Sequence, residues 1–108
     1  MILTTTDAIE NRKITAYLGI VSADVVFGSN IFRDFFASVR DVVGGRVGGY
    51  EAVFTHGKKE ALEDLEAKAV ALGADAVVGI DIDYEVIGGD KRTLLMVSAN
   101  GTAVKLGP

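Results

Sequence analysis

Three carboxylates at alternate positions are the residues of this chain best suited to contact a cation. Asp81, Asp83 and Glu85 occupy every second position of an alternating segment, which predicts one shared face of a strand. Neighbours on such a face lie about 6.6–6.8 Å apart along the strand, so two of them reach one ion only with help from another strand or subunit. Oxygen donors suit Ca²⁺, Mg²⁺ or Mn²⁺ before any soft metal. The alternatives are a solvated strand face and, less favoured, crowded carboxylates that work as acid and base.

A glycine-rich segment ahead of a predicted helix is the second candidate binding site. It contains Gly44, Gly45, Arg46, Gly48 and Gly49. Free N–H groups at a helix start, with an arginine among them, could hold a phosphate or a carboxylate. The spacing matches neither the P-loop, which needs a following Lys-Ser/Thr, nor the dinucleotide fingerprint, which needs a preceding strand. The alternative is a connector whose glycines permit unusual dihedral angles or close subunit contact.

The remaining reactive residues give little support for an enzyme. His56 is the one imidazole, and Glu60 follows it by four residues, which makes either a two-ligand fragment of a metal site or an exposed helix residue. The chain contains no cysteine, which excludes disulfides, thiolate nucleophiles and cysteine-type zinc sites. No serine lies on a Gly-x-Ser-x-Gly turn. We therefore predict a protein that is not an enzyme.

Composition narrows the class of protein further. With 108 residues, 49% of them hydrophobic, the chain is long enough for one domain, residues 1–108, with a real core. The formal net charge of −4 argues against a protein held on nucleic acid by phosphate contacts. No basic leader or run of about 20 apolar residues is present, which predicts a soluble, cytoplasmic protein that does not bind membranes.

Hydrophobic periodicity predicts both strands and helices, and hence an α+β fold. These elements must position the candidate residues. Gly73 is expected to end the second helix in the left-handed conformation, and an Asn-Gly pair in the last strand to bulge or turn it. The predicted elements, in chain order, are a short strand at 2–5, a strand at 13–22, a short strand at 24–28, helices at 31–43 and 50–72, a strand from 76, a hairpin turn at 88–90, and a last strand at 93–97 continuing at 102–105.

Two of these elements carry more apolar surface than one small sheet packed against one helix can bury. The strand at 13–22 is largely apolar on both faces, with Ile14, Leu18 and Ile20 assigned to one of them, and the helix at 31–43 carries three phenylalanines. Contiguous exposed patches of this kind usually mark interfaces. The sequence therefore predicts a homo-oligomer.

Four segments, residues 28–37, 40–51, 71–85 and 96–105, read together resemble the YbjQ-like family. Their sequences are GSNIFRDFFA, RDVVGGRVGGYE, ALGADAVVGIDIDYE and MVSANGTAVK. The resemblance spans nearly the whole chain, with the segments in the same order. The resemblance implies a bacterial or archaeal cytoplasmic protein with a β-α-β-β unit and an antiparallel sheet, like the dodecin subunit. It also implies homopentameric rings, with the extra helix and short strands helping the subunits join. The family is often labelled heavy-metal-binding, and its biochemical role is not established.

One departure from the family weakens the metal label. Members commonly have cysteine where this chain has Leu18, so the most natural soft-metal ligand is missing. The function predicted is a ring-forming, non-enzymatic binding protein for a metal or a small anionic ligand. The alternatives are a purely structural or adaptor oligomer and an enzyme whose site lies between subunits.

Overall fold

The computed structural model describes residues 1–28, 48–88 and 93–108, and these form four strands and one long helix. The predicted helix at 31–43 lies outside the described residues. The α+β class is confirmed. The elements, numbered in chain order, are β1 (Ile2–Leu3), β2 (Ile14–Phe27), α1 (Gly48–Ala71), β3 (Ala76–Gly88) and β4 (Thr93–Leu106).

The strands form one sheet in the order β1-β3-β4-β2. β4 lies between β3 and β2 and is antiparallel to both. β3 and β2 therefore run in the same direction. β1 pairs in parallel with the start of β3, so the four-stranded sheet is mixed, although its three long strands are antiparallel as expected.

The helix covers one face of this sheet. Ala61, Leu65 and Ala69 recur at four-residue spacing and are fully buried, as expected for an amphipathic helix packed on a sheet. Gly73 follows with φ of +81°, which confirms the left-handed helix end. The predicted helix included Leu72, but this residue follows the last helical residue and its side chain is 48% exposed.

β2 is one strand of 14 residues instead of the two shorter strands predicted. Register shifts near Thr15 and Leu18 insert extra residues opposite β4 and break the simple alternation. Leu18 consequently packs against the core beneath α1, Ile14 packs into a second cluster, and Ile20 is 82% exposed. The prediction that these three side chains share one face was wrong.

A bulge in β3 divides the sheet into two parts. Val78 pairs with Thr102 and Asp81 with Asn100, so two residues, Gly79 and Ile80, lie opposite Gly101 alone. Gly79 adopts φ of +63°, a conformation that glycine accepts without steric cost. β4 itself continues to Leu106 without interruption, so the irregularity expected at Asn100-Gly101 belongs to the neighbouring strand.

The core lies between α1 and the sheet. Its fully buried larger side chains come from the helix and from β3 and β4: Val53, Leu65, Val77, Leu95 and Val97. A smaller cluster occupies the other face before the bulge, where Ile9 and Ile14 cover Ala76, Val78, Val104 and Leu106. Beyond the bulge, the buried core residues that the structure describes lie only on the face beneath α1.

Candidate functional site

The sheet face opposite α1, beyond the bulge, carries a compact group of polar side chains. Residue pairing aligns them in two rows across β2, β4 and β3. We call this group the polar grid and its surface the open face. The first row is Ser22–Asn100–Asp81, and the second is Asp24–Ser98–Asp83.

The β3 bulge is what aims the carboxylates at the open face. Before the bulge, Ala76 and Val78 lie on this side of the sheet and Val77 lies beneath α1. Strict alternation from Val78 would carry Asp81 toward the helix, because side chains alternate between faces. The extra residue shifts the alternation of side chains between the two faces by one position. Ile80 therefore lies in the core and Asp81 lies on the open face.

Asp81 and Asp83 interact directly. A hydrogen bond to the Asp81 side chain, and secondly repulsion from its charge, raise the pKa of Asp83 above its ordinary value. Both side chains are exposed, and no lysine or arginine pairs with either of them among the described residues. Two adjacent carboxylates without a paired cation favour either a shared proton or an added cation.

Asp24 joins this surface through the middle strand. The Ser98 hydroxyl donates a hydrogen bond of 2.6 Å to Asp24 Oδ1. Strands lie about 4.7–4.9 Å apart, so β4 separates Asp24 from Asp83 by roughly twice that spacing. Sequence reasoning missed Asp24, Ser98 and Asn100 as site residues, because only the register of three strands places them together. The one available signal was a charged residue within an otherwise apolar strand.

Glu85 lies one row further along, beside Met96, which in turn pairs with Val26. Its own row is therefore otherwise apolar. Within residues 1–28, 48–88 and 93–108, no three His, Cys, Asp or Glu side chains are grouped closely enough to hold a metal ion. The predicted contact of Asp81, Asp83 and Glu85 with a cation remains a prediction, and it still requires donors from a second subunit.

His56 and Glu60 meet as their spacing predicts. His56 Nε2 lies 2.9 Å from Glu60 Oε1, and both side chains are close to half exposed. The imidazole ring also lies 5.7 Å from the Phe27 ring, centre to centre. The pair is a local i,i+4 contact on α1, beside Phe27 at the end of β2.

The glycine-rich candidate is only partly visible. Gly48 and Gly49 are the first residues of α1, and a helix start does supply N–H groups for an anion. Gly44, Gly45 and Arg46 lie outside the described residues. Anion binding there remains a prediction.

Comparison with family models and known proteins decides the family. A model described as "Putative heavy-metal-binding", that of the YbjQ-like family, matches residues 1–107. The chain belongs to the YbjQ-like family.

Curated relatives agree along the full length of this YbjQ-like chain. A UPF0145 protein of Trichodesmium erythraeum is 54% identical over 107 residues, covering 98% of this chain and 99% of the relative. A UPF0145 protein of Picosynechococcus sp. is 54% identical over 108 residues, covering 99% and 100%. Family membership is therefore supported by both kinds of sequence comparison.

A solved structure supports the fold. A protein of unknown function from Pediococcus pentosaceus, assigned to the DUF74 family, superimposes with a TM-score of 0.62 at 20% identity. The match covers 99% of this YbjQ-like chain and 98% of the other. Separately, no helix among the described residues has the length and apolar character needed to cross a membrane.

The donors of this chain do not fit a soft heavy metal. Cysteine is absent from the sequence, and Leu18, where the resemblance led us to expect a soft-metal ligand in relatives, packs against the core. The one imidazole contacts Glu60. Carboxylate, hydroxyl and amide oxygens dominate the open face, and these are donors for hard cations.

Proposed function

We propose that this chain is a non-enzymatic, homo-oligomeric binding protein of the cytoplasm whose open face contacts a hard divalent cation. The assembly is a ring, with five copies as the family resemblance implies. Asp81, Asp83 and Glu85 are the predicted cation contacts, and we add Asp24 because it shares the polar grid.

Exposed apolar side chains on the sheet are the observation that carries the proposed assembly. On β2, Tyr17 is 73%, Ile20 82% and Val26 58% exposed, and on β3 Val86 and Ile87 are about half exposed. Complete burial of such a side chain contributes roughly 1.5–3 kcal/mol. A second copy that covered several of them would gain a substantial free energy of association.

The donor chemistry of the open face supports the cation as ligand. A hydrogen bond to Asp81, and secondly repulsion from its charge, raise the pKa of Asp83, and a bound cation would remove that repulsion. Divalent ions with oxygen ligands take six to eight donors for Ca²⁺ and six for Mg²⁺. The described residues of one subunit supply too few at one point, which ties the proposed site to the assembly.

The assembly is tested by the mass of the particle in solution. Light scattering after gel filtration should give a mass several times the 11.4 kDa of one chain. A folded species of 11.4 kDa at micromolar concentration would refute the oligomer and, with it, any site built between copies.

The ligand is tested by calorimetric titration of the assembled protein with Mg²⁺, Ca²⁺, Mn²⁺ and Zn²⁺. We expect heats with the hard cations, and we expect Asp83→Asn to abolish them. Glu63→Gln is the matched control, because it removes one carboxylate from an exposed position on α1 and leaves the polar grid intact. Flat heats for every ion would remove the cation and leave a structural or adaptor oligomer.

The absence of catalysis is tested with a broad substrate screen of the wild-type assembly. We expect no product above the background. Product formation that is lost on Asp81→Asn or Asp83→Asn would instead identify an enzyme whose site lies between subunits.

A further inference from the structure

The sheet ends on two edges that no strand of the described residues covers. β2 forms one outer edge over its full length. On the other side, β1 pairs only with Ala76 and Val77, and the Gly79 and Ile80 N–H groups extend this cover by donating to the carbonyl oxygens of Thr6 and Thr4. From residue 81 to 88, β3 has no partner on its outer side within residues 1–28, 48–88 and 93–108.

Hydrogen bonds identify which backbone groups point outward. The Ile80 N–H donates outward to the Thr4 carbonyl oxygen. Backbone groups of successive residues point to opposite sides of a strand, so those of Ile82, Tyr84 and Val86 also point away from β4. On the other edge, the Ser22 carbonyl accepts a hydrogen bond from Lys68 Nζ at 2.7 Å.

The same alternation applies to β2. Because Ser22 directs its carbonyl away from β4, Asp24 and Val26 present their N–H and C=O groups outward as well. Free N–H and C=O groups in a row are a template for another strand.

The two free edges match in position and direction. Asp83 and Asp24 share one row through Ser98, so residues 82–88 of β3 and residues 22–27 of β2 lie at the same level of the sheet. Both strands run the same way. A second copy set beside the first in the same orientation would therefore place its β3 edge alongside β2 and continue the sheet by parallel pairing.

Bulges and lysine, which normally blunt an edge, do not affect residues 24–27 and 82–88, although Asp24, Asp83 and Glu85 place charges there. The register shifts near Thr15 and Leu18 disturb the first half of β2, and Lys68 occupies the Ser22 carbonyl. Residues 24–27 and 82–88 contain neither lysine nor proline. They also carry exposed apolar side chains: Val26, Tyr84, Val86 and Ile87.

We propose that the outer edge of β2 at residues 22–27 binds the outer edge of β3 at residues 82–88 of a second copy. This inference rests on the proposed oligomer and names its interface. A second copy is the partner because this one chain carries both edges, level with each other and equally oriented. The contact is heterologous, so each added copy leaves one edge of either kind free until a ring closes.

Proline at an outward-facing position tests each edge separately. Val26→Pro and Val86→Pro remove N–H groups that point away from β4, so the internal sheet bonds remain while an added strand loses its donor. Each variant alone should be monomeric by sedimentation, with a wild-type circular dichroism spectrum. If proline unfolds the chain, Val26→Lys and Val86→Lys provide the same test by placing a charge on the edge.

Mixing the variants distinguishes this interface from any symmetric one. The Val86→Pro copy keeps an intact β2 edge, and the Val26→Pro copy keeps an intact β3 edge. Their equimolar mixture at high concentration should form a dimer of one of each and grow no further. Val70→Lys, which changes an exposed valine of α1, is the matched control and should assemble as the wild type does.

Three results would overturn the interface while leaving the oligomer standing. These are wild-type assembly by both edge variants, dissociation caused by only one of them, and dissociation by Val70→Lys as well. A mixture that stays monomeric would also overturn it. A monomeric wild type would instead refute the proposed function itself.

Discussion

The two faces of the sheet beyond the β3 bulge differ in almost every respect, although the same strands form both. The face beneath α1 is filled by buried residues such as Leu95, Val97 and Ala99. The open face carries the polar grid and half-exposed apolar side chains. Beyond the bulge, the core contacts of the described residues therefore lie beneath α1, which leaves the open face accessible to a ligand.

The largest expected difference between the two faces is in the unfolding free energy lost when adjacent leucines of β4 are truncated. Leu95 is fully buried beneath α1, whereas Leu94, its neighbour on the open face, is 36% exposed. Leu95→Ala should lower the free energy of unfolding by about 2–5 kcal/mol, because it removes core contacts and leaves a cavity. Leu94→Ala should lower it by less than about 1 kcal/mol.

Urea titration followed by circular dichroism measures both values. The two variants should be compared in the monomeric background of Val86→Pro, so that loss of an interface contact does not enter the result. Equal losses for Leu94→Ala and Leu95→Ala would show that the faces do not differ in this way.

The bulge, which determines the face reached by each β3 side chain beyond it, is tested at Gly101. A Cβ at this position would lie 2.7 Å from Val77 Cγ1 and 3.0 Å from the Val78 carbonyl oxygen. The second of these atoms belongs to the backbone and cannot rotate away. Gly101→Ala should therefore cost about 1–3 kcal/mol in unfolding free energy, the usual cost of overpacking.

Gly28→Ala is the control for that substitution. Among the described residues, its Cβ would meet nothing closer than Leu94 Cδ2 at 4.0 Å, an ordinary contact. We expect a change of less than about 0.5 kcal/mol, typical of an unstrained surface position. A Gly101→Ala protein as stable as Gly28→Ala would contradict the close approach of β3 and β4 at the bulge.

The smallest expected effect concerns the pH dependence of the open face. Because Asp81 raises the pKa of Asp83 in the folded protein, the folded state binds this proton more tightly than the unfolded state. The stability from this group is fully present below the unfolded pKa and is lost as pH rises through the raised folded value. Asp81→Asn should lower the pKa of Asp83 and reduce that loss.

A carboxyl-detected NMR titration measures the Asp83 pKa directly. Glu63→Gln again serves as the control and should leave it unchanged. If Asp81→Asn left the Asp83 pKa where it was, the two carboxylates would not be interacting as the structure describes.

Much of the fold could be predicted from local pattern. The helix was expected at 50–72 and spans Gly48–Ala71, and the alternation from Asp81 correctly separated Ile82 from its acidic neighbours. Gly73 adopts the left-handed conformation expected of a helix end. Each of these features depends on residues that are close together in the sequence.

The parts that could not be predicted depend on distant pairing. Asp24 divided β2 into two predicted strands, because a charge within an apolar run resembles a break. In the folded chain it is satisfied by Ser98, which is 74 residues away. The bulge was expected in β4 and lies in β3 for a related reason, since a register shift belongs to a pair of strands and not to either sequence alone.

Amide hydrogen exchange in the wild-type assembly, resolved by NMR at single residues, tests whether subunits join through the outer edges of β2 and β3. The N–H groups of Val26, Tyr84 and Val86 point away from β4, so only a strand outside the described sheet can protect them. We predict that they exchange as slowly as the inward-facing N–H of Val97. Exchange at the rate of an unstructured peptide, in a particle that remains assembled, would show that the subunits do not join through these edges.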